Sequence, residues 1–303
     1  MSIEIPFTKM VATGNDFLLV DTCHHPLEVL RKHWSQVAKT MCDRRYGVGA
    51  DGLLVLEPVH AADVKMRIFN PDGSEAEMCG NGARCAGLYL KDGSRQRRGA
   101  VTIATQAGKV TATVSGNRVA IRMPDPRGLR VDLRVRVDHR PWQLTYIDTG
   151  VPHVVAVVDR LDRVDVERVG RQLRFHRAFH PRGTNVDFVE VDSGMPSQLR
   201  IRTYERGVEA ETLACGTGVV AAAVIQALRP GRKAIGTAQR IEVETKSGER
   251  LTVRLAVRVA GKTRRVTDVF LEGAVRWVCR GVFPWPLKPA GASVTMPRTR
   301  SCG

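Results

Sequence analysis

Two short segments of this 303-residue chain place a cysteine in the same setting: Glu75-Ala-Glu-Met-Cys79-Gly80-Asn81-Gly82 and Glu211-Thr-Leu-Ala-Cys215-Gly216-Thr217-Gly218. Each Cys-Gly-x-Gly runs into a helix-like segment. A thiol at a helix start faces unpaired backbone N–H groups and the positive end of the helix dipole, and both favour the thiolate. The glycines let the backbone come close to a ligand, and the same N–H groups can hold a carboxylate. Two such elements facing each other would hold an amino acid with its Cα between two sulfurs. One thiolate then removes the Cα proton, and the other thiol returns a proton to the opposite face. Asn15, Asn70, Asn185 and Arg206 are candidates for the substrate's polar groups.

A lone Cys-Gly-x-Gly reads as packing, because free cysteine is among the most buried residue types. Duplication reverses that reading. Cys215 lies 136 positions after Cys79, and the same offset carries Thr13-Gly14 to Thr149-Gly150, Gly47 to Gly183, Asp51 to Asp187, Asn70 to Arg206 and Glu75 to Glu211. Beyond the cysteines, Thr105-Gln-Ala-Gly108 answers Thr245-Lys-Ser-Gly248 after a small insertion. A single long repeat implies a duplicated domain, whereas periods of about 20–50 residues would imply a solenoid. His153, in Thr149-Gly-Val-Pro-His153, is a site candidate through its place in the repeat. Cys42, Cys85 and Cys279 read as core thiols, and Cys23 and Cys302 as incidental.

Composition bounds the alternatives. The length suits two domains, and 43% hydrophobic residues suffice for two cores. There is no apolar run long enough to span a membrane and no signal-like start, so the expected location is cytoplasmic. Seven loosely spaced cysteines do not form a disulfide framework; there is no Cys-x-x-Cys pair, and the one His-x-x-x-His pair, His176 and His180, has no cysteine near it in the sequence, so no metal site is expected. The net charge of +16 raises nucleic acid as a partner, but the arginines are scattered, aromatics reach only 5% and no nucleic-acid motif is present. The expected partner is therefore a small amino acid, drawn in by a basic surface. Neither cysteine motif contains a lysine for a Schiff base, so no cofactor is expected.

The elements that must position the thiols follow from periodicity. Two strand segments are expected over Phe7–Asp21, around Ala12-Thr13-Gly14-Asn15, and helical spacing predicts a surface helix from Leu27 to Asp43. Strands are expected at Gly52–Glu57, Val64–Phe69 and Ala100–Thr105, and a hairpin at Val110–Met123 with its turn at Ser115-Gly-Asn117. The first cysteine helix is expected over Asn81–Lys91. Pro124 to Gly128 reads as a boundary. The second half repeats the order, with strands through Ile147, at Val154–Val158, Val186–Val191 and Leu199–Tyr204, a helix at Asp165–Leu173, and strands from Arg240 to Val275. The helix Val219–Leu228 is apolar all round and should be buried on every side. The Pro-, Gly- and Arg-rich segment from Pro284 to Gly303 is expected to be a flexible tail.

Several segments resemble the diaminopimelate epimerase family: Thr13-Gly-Asn-Asp-Phe17, Gly47-Val-Gly-Ala-Asp-Gly52, Phe69-Asn-Pro-Asp-Gly-Ser74, Met78-Cys-Gly-Asn-Gly-Ala-Arg-Cys85, Gly183-Thr-Asn-Val-Asp-Phe188 and Tyr204-Glu-Arg-Gly-Val-Glu-Ala-Glu-Thr-Leu-Ala-Cys-Gly-Thr-Gly218. The resemblance covers roughly residues 5 to 280. It implies cofactor-independent interconversion of LL- and meso-2,6-diaminopimelate in lysine and peptidoglycan precursor synthesis. The implied fold is α+β: two pseudo-symmetric domains, each a curled, mostly antiparallel sheet wrapped around a central helix. The first would span 1–125 and be completed by a C-terminal strand at about 269–283, and the second would span 145–268. The resemblance makes Cys79 and Cys215 the acid/base pair, with His153 and Glu205 tuning them. It makes Asn15, Asn70, Asn185, Glu205 and Arg206 substrate contacts, and Gly80-Asn81 and Gly216-Thr217 the backbone anion sites. It also implies a homodimer. Gly52 stands where some members carry Gln, and Val151 where some carry Asn, so each lacks a side-chain contact. The competing readings are a proline- or hydroxyproline-type racemase with the same two-thiol chemistry, and a basic nucleic-acid-binding protein on the same fold.

Overall fold

The computed structural model describes residues 2–25, 27–92, 100–229, 238–260 and 263–286. In chain order its first elements are β1 (Ser2–Ala12), β2 (Asn15–Asp21), α1 (Trp34–Met41), β3 (Gly52–Glu57), β4 (Val64–Phe69), β5 (Glu75–Ala76), α2 (Gly80–Asp92), β6 (Ala100–Thr105), β7 (Gly108–Ser115) and β8 (Arg118–Arg122). Then come β9 (Arg127–Val137), β10 (Arg140–Asp148), β11 (Pro152–Val157), α3 (Val166–Arg174), β12 (Asn185–Val191), β13 (Gln198–Glu205), β14 (Ala210–Thr212), α4 (Gly216–Leu228), β15 (Ala238–Glu244), β16 (Arg250–Ala260), β17 (Thr263–Ala274) and β18 (Arg276–Pro286). The fold is mixed α+β and mostly strand.

One pairing order occurs twice. β2 runs parallel to β3, β3 antiparallel to β4, and β4 pairs with β5 and, in parallel, with β6. Likewise β11 runs parallel to β12, β12 antiparallel to β13, and β13 pairs with β14 and, in parallel, with β15. The chain closes on itself at its end. β17 pairs with β8, and β18 pairs with β1 from Ser2↔Pro286 to Val11↔Arg276.

The helices explain the strand composition. α2 packs against β1–β4 and β6–β8, and α4 against β10–β13 and β15–β17. Every residue of α4 from Gly218 to Ala227 is buried, which is why its apolar character extends all round. α1 covers the other face of β2 and β3, where Trp34, Val37 and Met41 meet Leu18, Val20, Leu53 and Val55. α3 covers β12 and β13 in the same way, with Val169 and Leu173 in one cluster with Val186, Phe188 and Tyr204. Strands covered on both faces read as unbroken apolar runs, as Gly52–Leu56 does.

Four expectations change. The helix expected over Leu27–Asp43 is a 3-10 turn at Glu28–Leu30 followed by α1. No side chain caps α1 at His33, and Asp43 ends the segment by accepting the N–H groups of Arg45 and Tyr46. β1 begins at Ser2, because β18 supplies its partner. β18 continues through Pro286, past the point expected to begin the tail, and prolines are tolerated on a strand paired along one edge. Residues 287–303 and Cys302 lie outside the described residues. Cys279 is exposed, unlike Cys42 and Cys85. A register shift at Lys9/Met10 breaks the alternation of β18 and turns Val278, Cys279 and Arg280 outward together.

Candidate active site

Cys79 and Cys215 each stand one residue before a helix. The Cys79 carbonyl accepts the Ala83 N–H at 2.9 Å, and the Cys215 carbonyl accepts the Val219 N–H at 3.0 Å. Both therefore occupy the first half-helical position, where the following N–H groups have no partner within the helix. The Gly82 N–H points at Cys79 Sγ, 3.5 Å away. The glycines are required by packing. A Cβ on Gly82 would lie 2.9 Å from Leu54 Cδ2, and one on Gly218 would run into Asp187 Oδ1. Gly14, in the β1–β2 turn at φ +80°, packs at Cβ distances of 3.3 Å against Leu213 and Ser247, so the first glycine turn meets the segment leading into Cys215.

Behind each helix start runs a chain of hydrogen bonds, and the two chains share the repeated pairs Asp51/Asp187 and Asn81/Thr217, bridged by Asn15 in one and by His153, which is not its repeat equivalent, in the other. In the first, Asn15 Nδ2 donates to Asp51 Oδ2 at 3.1 Å, and Asn15 Oδ1 accepts from Asn81 Nδ2. In the second, His153 Nδ1 lies 2.7 Å from Asp187 Oδ2, and Nε2 lies 2.9 Å from Thr217 Oγ1. Thr217 Oγ1 is in turn 3.4 Å from Cys215 Sγ. Thr203 donates to the other Asp187 oxygen at 2.7 Å, and Thr149 donates to the Thr217 carbonyl at 3.0 Å. On the first side, Arg84 Nη2 donates to the Thr13 hydroxyl and, at 2.6 Å, to Asn81 Oδ1.

The electrostatics correct one expectation. Helix starts favour thiolate, but burial outweighs them here. Burial pushes the Cys79 thiol up; the Gly82 and Asn81 N–H groups and Arg84 partly offset it, and Glu205 adds to it. Burial also pushes Cys215 well above the ordinary thiol range, with the Glu205 and Asp187 carboxylates adding to it and Thr217 and Gly218 partly offsetting it. Desolvation disfavours any charged form, and two half-turn dipoles do not recover that loss. Glu205 is itself pushed up by burial, with Asp187 adding and the Thr212 hydroxyl and His153 offsetting. One carboxyl group thus acts on both thiols.

The other expected residues are placed as follows. Asn185 is buried at the start of β12, donates to the Pro152 carbonyl at 2.9 Å and accepts the Arg206 N–H at 2.8 Å. Arg206 reaches the Arg182 carbonyl with Nη1 at 3.4 Å. Asn70 sits in the turn after β4 and donates to Ser74 at 2.9 Å. Gly52 is buried, and a Cβ there would lie 3.0 Å from the Phe69 carbonyl and 3.3 Å from Phe17. The Phe17 ring packs where a side chain at this position would begin. Val151 is half-buried after the Gly150 turn. Thr13, Asp51, Arg84, Thr149, Asp187 and Thr203 were not among the expected site residues. Four of them were already visible as the repeated pairs Thr13/Thr149 and Asp51/Asp187. Among the described residues, no group of three His, Cys, Asp or Glu side chains gathers as a metal site, and no helix is long and apolar enough to cross a membrane.

The diaminopimelate epimerase family model matches residues 7–127 and 145–269. A diaminopimelate epimerase of Methanocella arvoryzae is 40% identical over 73% of this chain and 81% of its own. One of Chlorobaculum tepidum is 37% identical over 90% of this chain and 98% of its own. Among solved structures, a phenazine biosynthesis protein of the PhzF family from Bacillus anthracis superposes with a TM-score of 0.70 over 93% of this chain and 99% of its own. At 18% identity, that likeness concerns the fold alone.

Proposed function

The chain belongs to the diaminopimelate epimerase family, and we propose that Cys79 and Cys215 are the acid/base pair of its reaction. It is an isomerase that epimerises diaminopimelate in lysine biosynthesis. The family match sets aside the proline-type racemase and the nucleic-acid-binding reading. The observation that carries the thiol assignment is the pair of matched Cys-Gly-x-Gly helix starts with one carboxyl group, Glu205, acting on both sulfurs.

The substrate α-carboxylate is held by the free N–H groups at the starts of α2 and α4, through Gly80-Asn81 and Gly216-Thr217. One thiolate takes the Cα proton. The C–H electron pair moves into the carboxylate, where the helix N-termini stabilise the added charge. The other thiol gives its proton to the opposite face. Burial makes each thiolate a strong base once formed, because an anion without water is poorly stabilised. Asn15, Asn70, Asn185 and Arg206 hold the remaining amino and carboxylate groups, with Arg206 on the distal carboxylate.

The Asp187 carboxylate only accepts, so it fixes the proton on His153 Nδ1 and leaves Nε2 to accept from Thr217. When Cys215 is the base, its proton first passes to the Thr217 oxygen as the Thr217 hydroxyl proton passes to Nε2, leaving a thiolate, with Asp187 stabilising the imidazolium. In this reading His153 tunes Cys215 through Thr217, and Glu205 disfavours charge on either sulfur until substrate arrives. The twofold pairing order supports two domains, 1–125 with the 269–283 strand and 145–268, each wrapped around α2 or α4; the family likeness is the ground for reading the protein as a homodimer in the cytoplasm. Sedimentation would read the dimer.

The test is Cα hydrogen–deuterium exchange of diaminopimelate in D2O without added cofactor. Cys79→Ala and Cys215→Ala should each lose at least ~100-fold in epimerisation while remaining folded. Near-wild-type turnover by either variant would refute the assignment.

A further inference from the structure

Thr13 is fully buried in the turn between β1 and β2, with φ +54°. A β-branched residue in the left-handed region is an outlier that persists only where its surroundings over-determine it. Here the surroundings are Arg84, on α2 and also fully buried. Its Nη2 donates to the Thr13 hydroxyl and, at 2.6 Å, to Asn81 Oδ1. Arg84 thus ties the turn that leads into Asn15 to the helix start that follows Cys79. The second half makes the same tie without an arginine. Thr149 and Thr217 are the repeat equivalents of Thr13 and Asn81, and the Thr149 hydroxyl donates directly to the Thr217 carbonyl at 3.0 Å. Thr149 is not left-handed, and the place matching Arg84 holds the buried Val220.

The bridge also has a direction. A guanidinium only donates, and a carboxylate only accepts. Two amides stand in series between Arg84 and Asp51. Asn81 Oδ1 accepts from Arg84, Asn81 Nδ2 donates to Asn15 Oδ1, and Asn15 Nδ2 donates to Asp51 Oδ2 at 3.1 Å. Asp51 is held in turn by Arg44 at 2.7 Å. With a donor at one end and an acceptor at the other, each amide has a single orientation. Asn15 then keeps one N–H and one lone pair free, in fixed places. If Asn81 turned round, its oxygen would face the Asn15 oxygen, and Asn15 could answer only by turning its own oxygen onto Asp51.

We infer that Arg84 is a positioning residue: it pins the left-handed Thr13 turn to the start of α2 and holds the Asn81 and Asn15 amides in the one orientation in which Asn15 meets the substrate. The inference rests on the reading of Asn15 as a substrate contact. Arg84 itself touches neither substrate nor sulfur. Its Nε and Nη1 have no hydrogen-bond partner among the described residues, so its hydrogen bonding goes entirely through Nη2 to Thr13 and Asn81.

Steady-state epimerisation of diaminopimelate is measured for Arg84→Met, Asn15→Ala and the double variant. Methionine keeps the apolar stem, and replacing a buried charge by an apolar group of similar volume is often neutral or favourable. Arg84→Met should therefore fold, with a urea midpoint at or above that of the wild type. Its KM should rise at least ~10-fold, as for a lost hydrogen bond to a charged group. kcat should change far less, because a contact made equally in the ground and transition states sets KM alone. Asn15→Ala should do the same, and Arg84→Met should add almost nothing to it. Arg84→Lys, which keeps a donor, should restore most of the loss. Additive effects of Arg84→Met and Asn15→Ala overturn the inference, as does a folded Arg84→Met with wild-type KM. If Arg84→Met does not fold, Thr13→Gly decides: glycine accepts φ +54° without strain and removes the hydroxyl that Arg84 holds. Its KM should also rise, and an unmoved KM overturns the inference.

Side-chain 15N NMR of Asn15 and Asn81 in the substrate-free full chain separates the inference from the reaction. Both NH2 groups should exchange slowly with solvent in the wild type and Arg84→Lys, and quickly in Arg84→Met. Turnover of diaminopimelate with exchange unmoved by Arg84→Met sinks only the inference. Exchange that moves as expected, in a wild type that does not turn over diaminopimelate, sinks only the reaction.

Discussion

His153 and Asp187 form a fully buried pair, Nδ1 to Oδ2 at 2.7 Å, with neither side chain exposed. The pair fixes the imidazole tautomer, and through Thr217 that tautomer reaches Cys215. Asp187→Asn keeps the shape but offers an amide N–H to the ring, which reverses which nitrogen carries the proton. Epimerisation should fall at least ~100-fold with little change in KM. Thr217→Val should fall in the same direction, because it cuts the link to sulfur. Steady-state kinetics on the two variants checks this, and an active Asp187→Asn would mean that His153 only packs.

The same carboxylate explains why Gly218 is glycine. A Cβ there would run into Asp187 Oδ1 and lie 3.3 Å from Thr203 Oγ1. Neither can move without breaking the buried bond between them. Gly80, the first residue of α2, would meet only the far end of Ile121, at 3.3 Å. Gly218→Ala should therefore destabilise by about 1–3 kcal/mol, as overpacking does, and should abolish turnover. Gly80→Ala should cost less than ~1 kcal/mol. Urea unfolding of both variants reads the contrast, and equal midpoints would refute it.

The thiols and the helices that carry them were legible because a duplicated Cys-Gly-x-Gly leaves little else to explain it. Strand order was legible from the runs at Gly52–Glu57, Val64–Phe69 and Val186–Val191. What sequence hid was whatever depends on distance across the fold. The N-terminal half of β1 is interrupted by Pro6, and only its pairing with β18 shows that the strand reaches back to Ser2. Arg84 and Asp187 look like ordinary charged residues until burial is known, and the repeat marked Asp51 and Asp187 without saying what they held. The expected lowering of the thiol pKa failed for the same reason, since desolvation has no local sequence signature.

Burial of the thiols makes stability fall in alkali. Cys42 is pushed up to about 12 by burial, with Asp16 and Asp51 adding and Arg44 and Lys9 offsetting, and Cys79, Cys85 and Cys215 are also raised. Unfolded cysteines lose their protons near pH 9. Above that pH the unfolded chain binds fewer protons than the folded one, so the stabilising contribution present below about pH 9 is lost as pH rises toward the folded values. Denaturant midpoints should fall between about pH 8 and about pH 10, and Cys42→Ala should flatten the fall. A wild-type midpoint constant over this range would show that burial does not hold these groups protonated.

Two sulfurs that serve opposite faces of one carbon are candidates for cross-linking when that carbon is absent. A disulfide needs Cβ atoms only about 4 Å apart, and both thiols are free here. Mild oxidation by a disulfide reagent should remove two hydrogens and join Cys79 to Cys215, abolishing turnover, and dithiothreitol should restore it. Cys85 is a poor competitor, because it is fully buried inside α2 and its thiolate is the least accessible form. Bound diaminopimelate should protect, since it occupies the space that the bond would close. Peptide mapping of the oxidised protein is the check. Inactivation with Cys79 and Cys215 in separate adducts, and unchanged by substrate, would show that the two sulfurs do not meet.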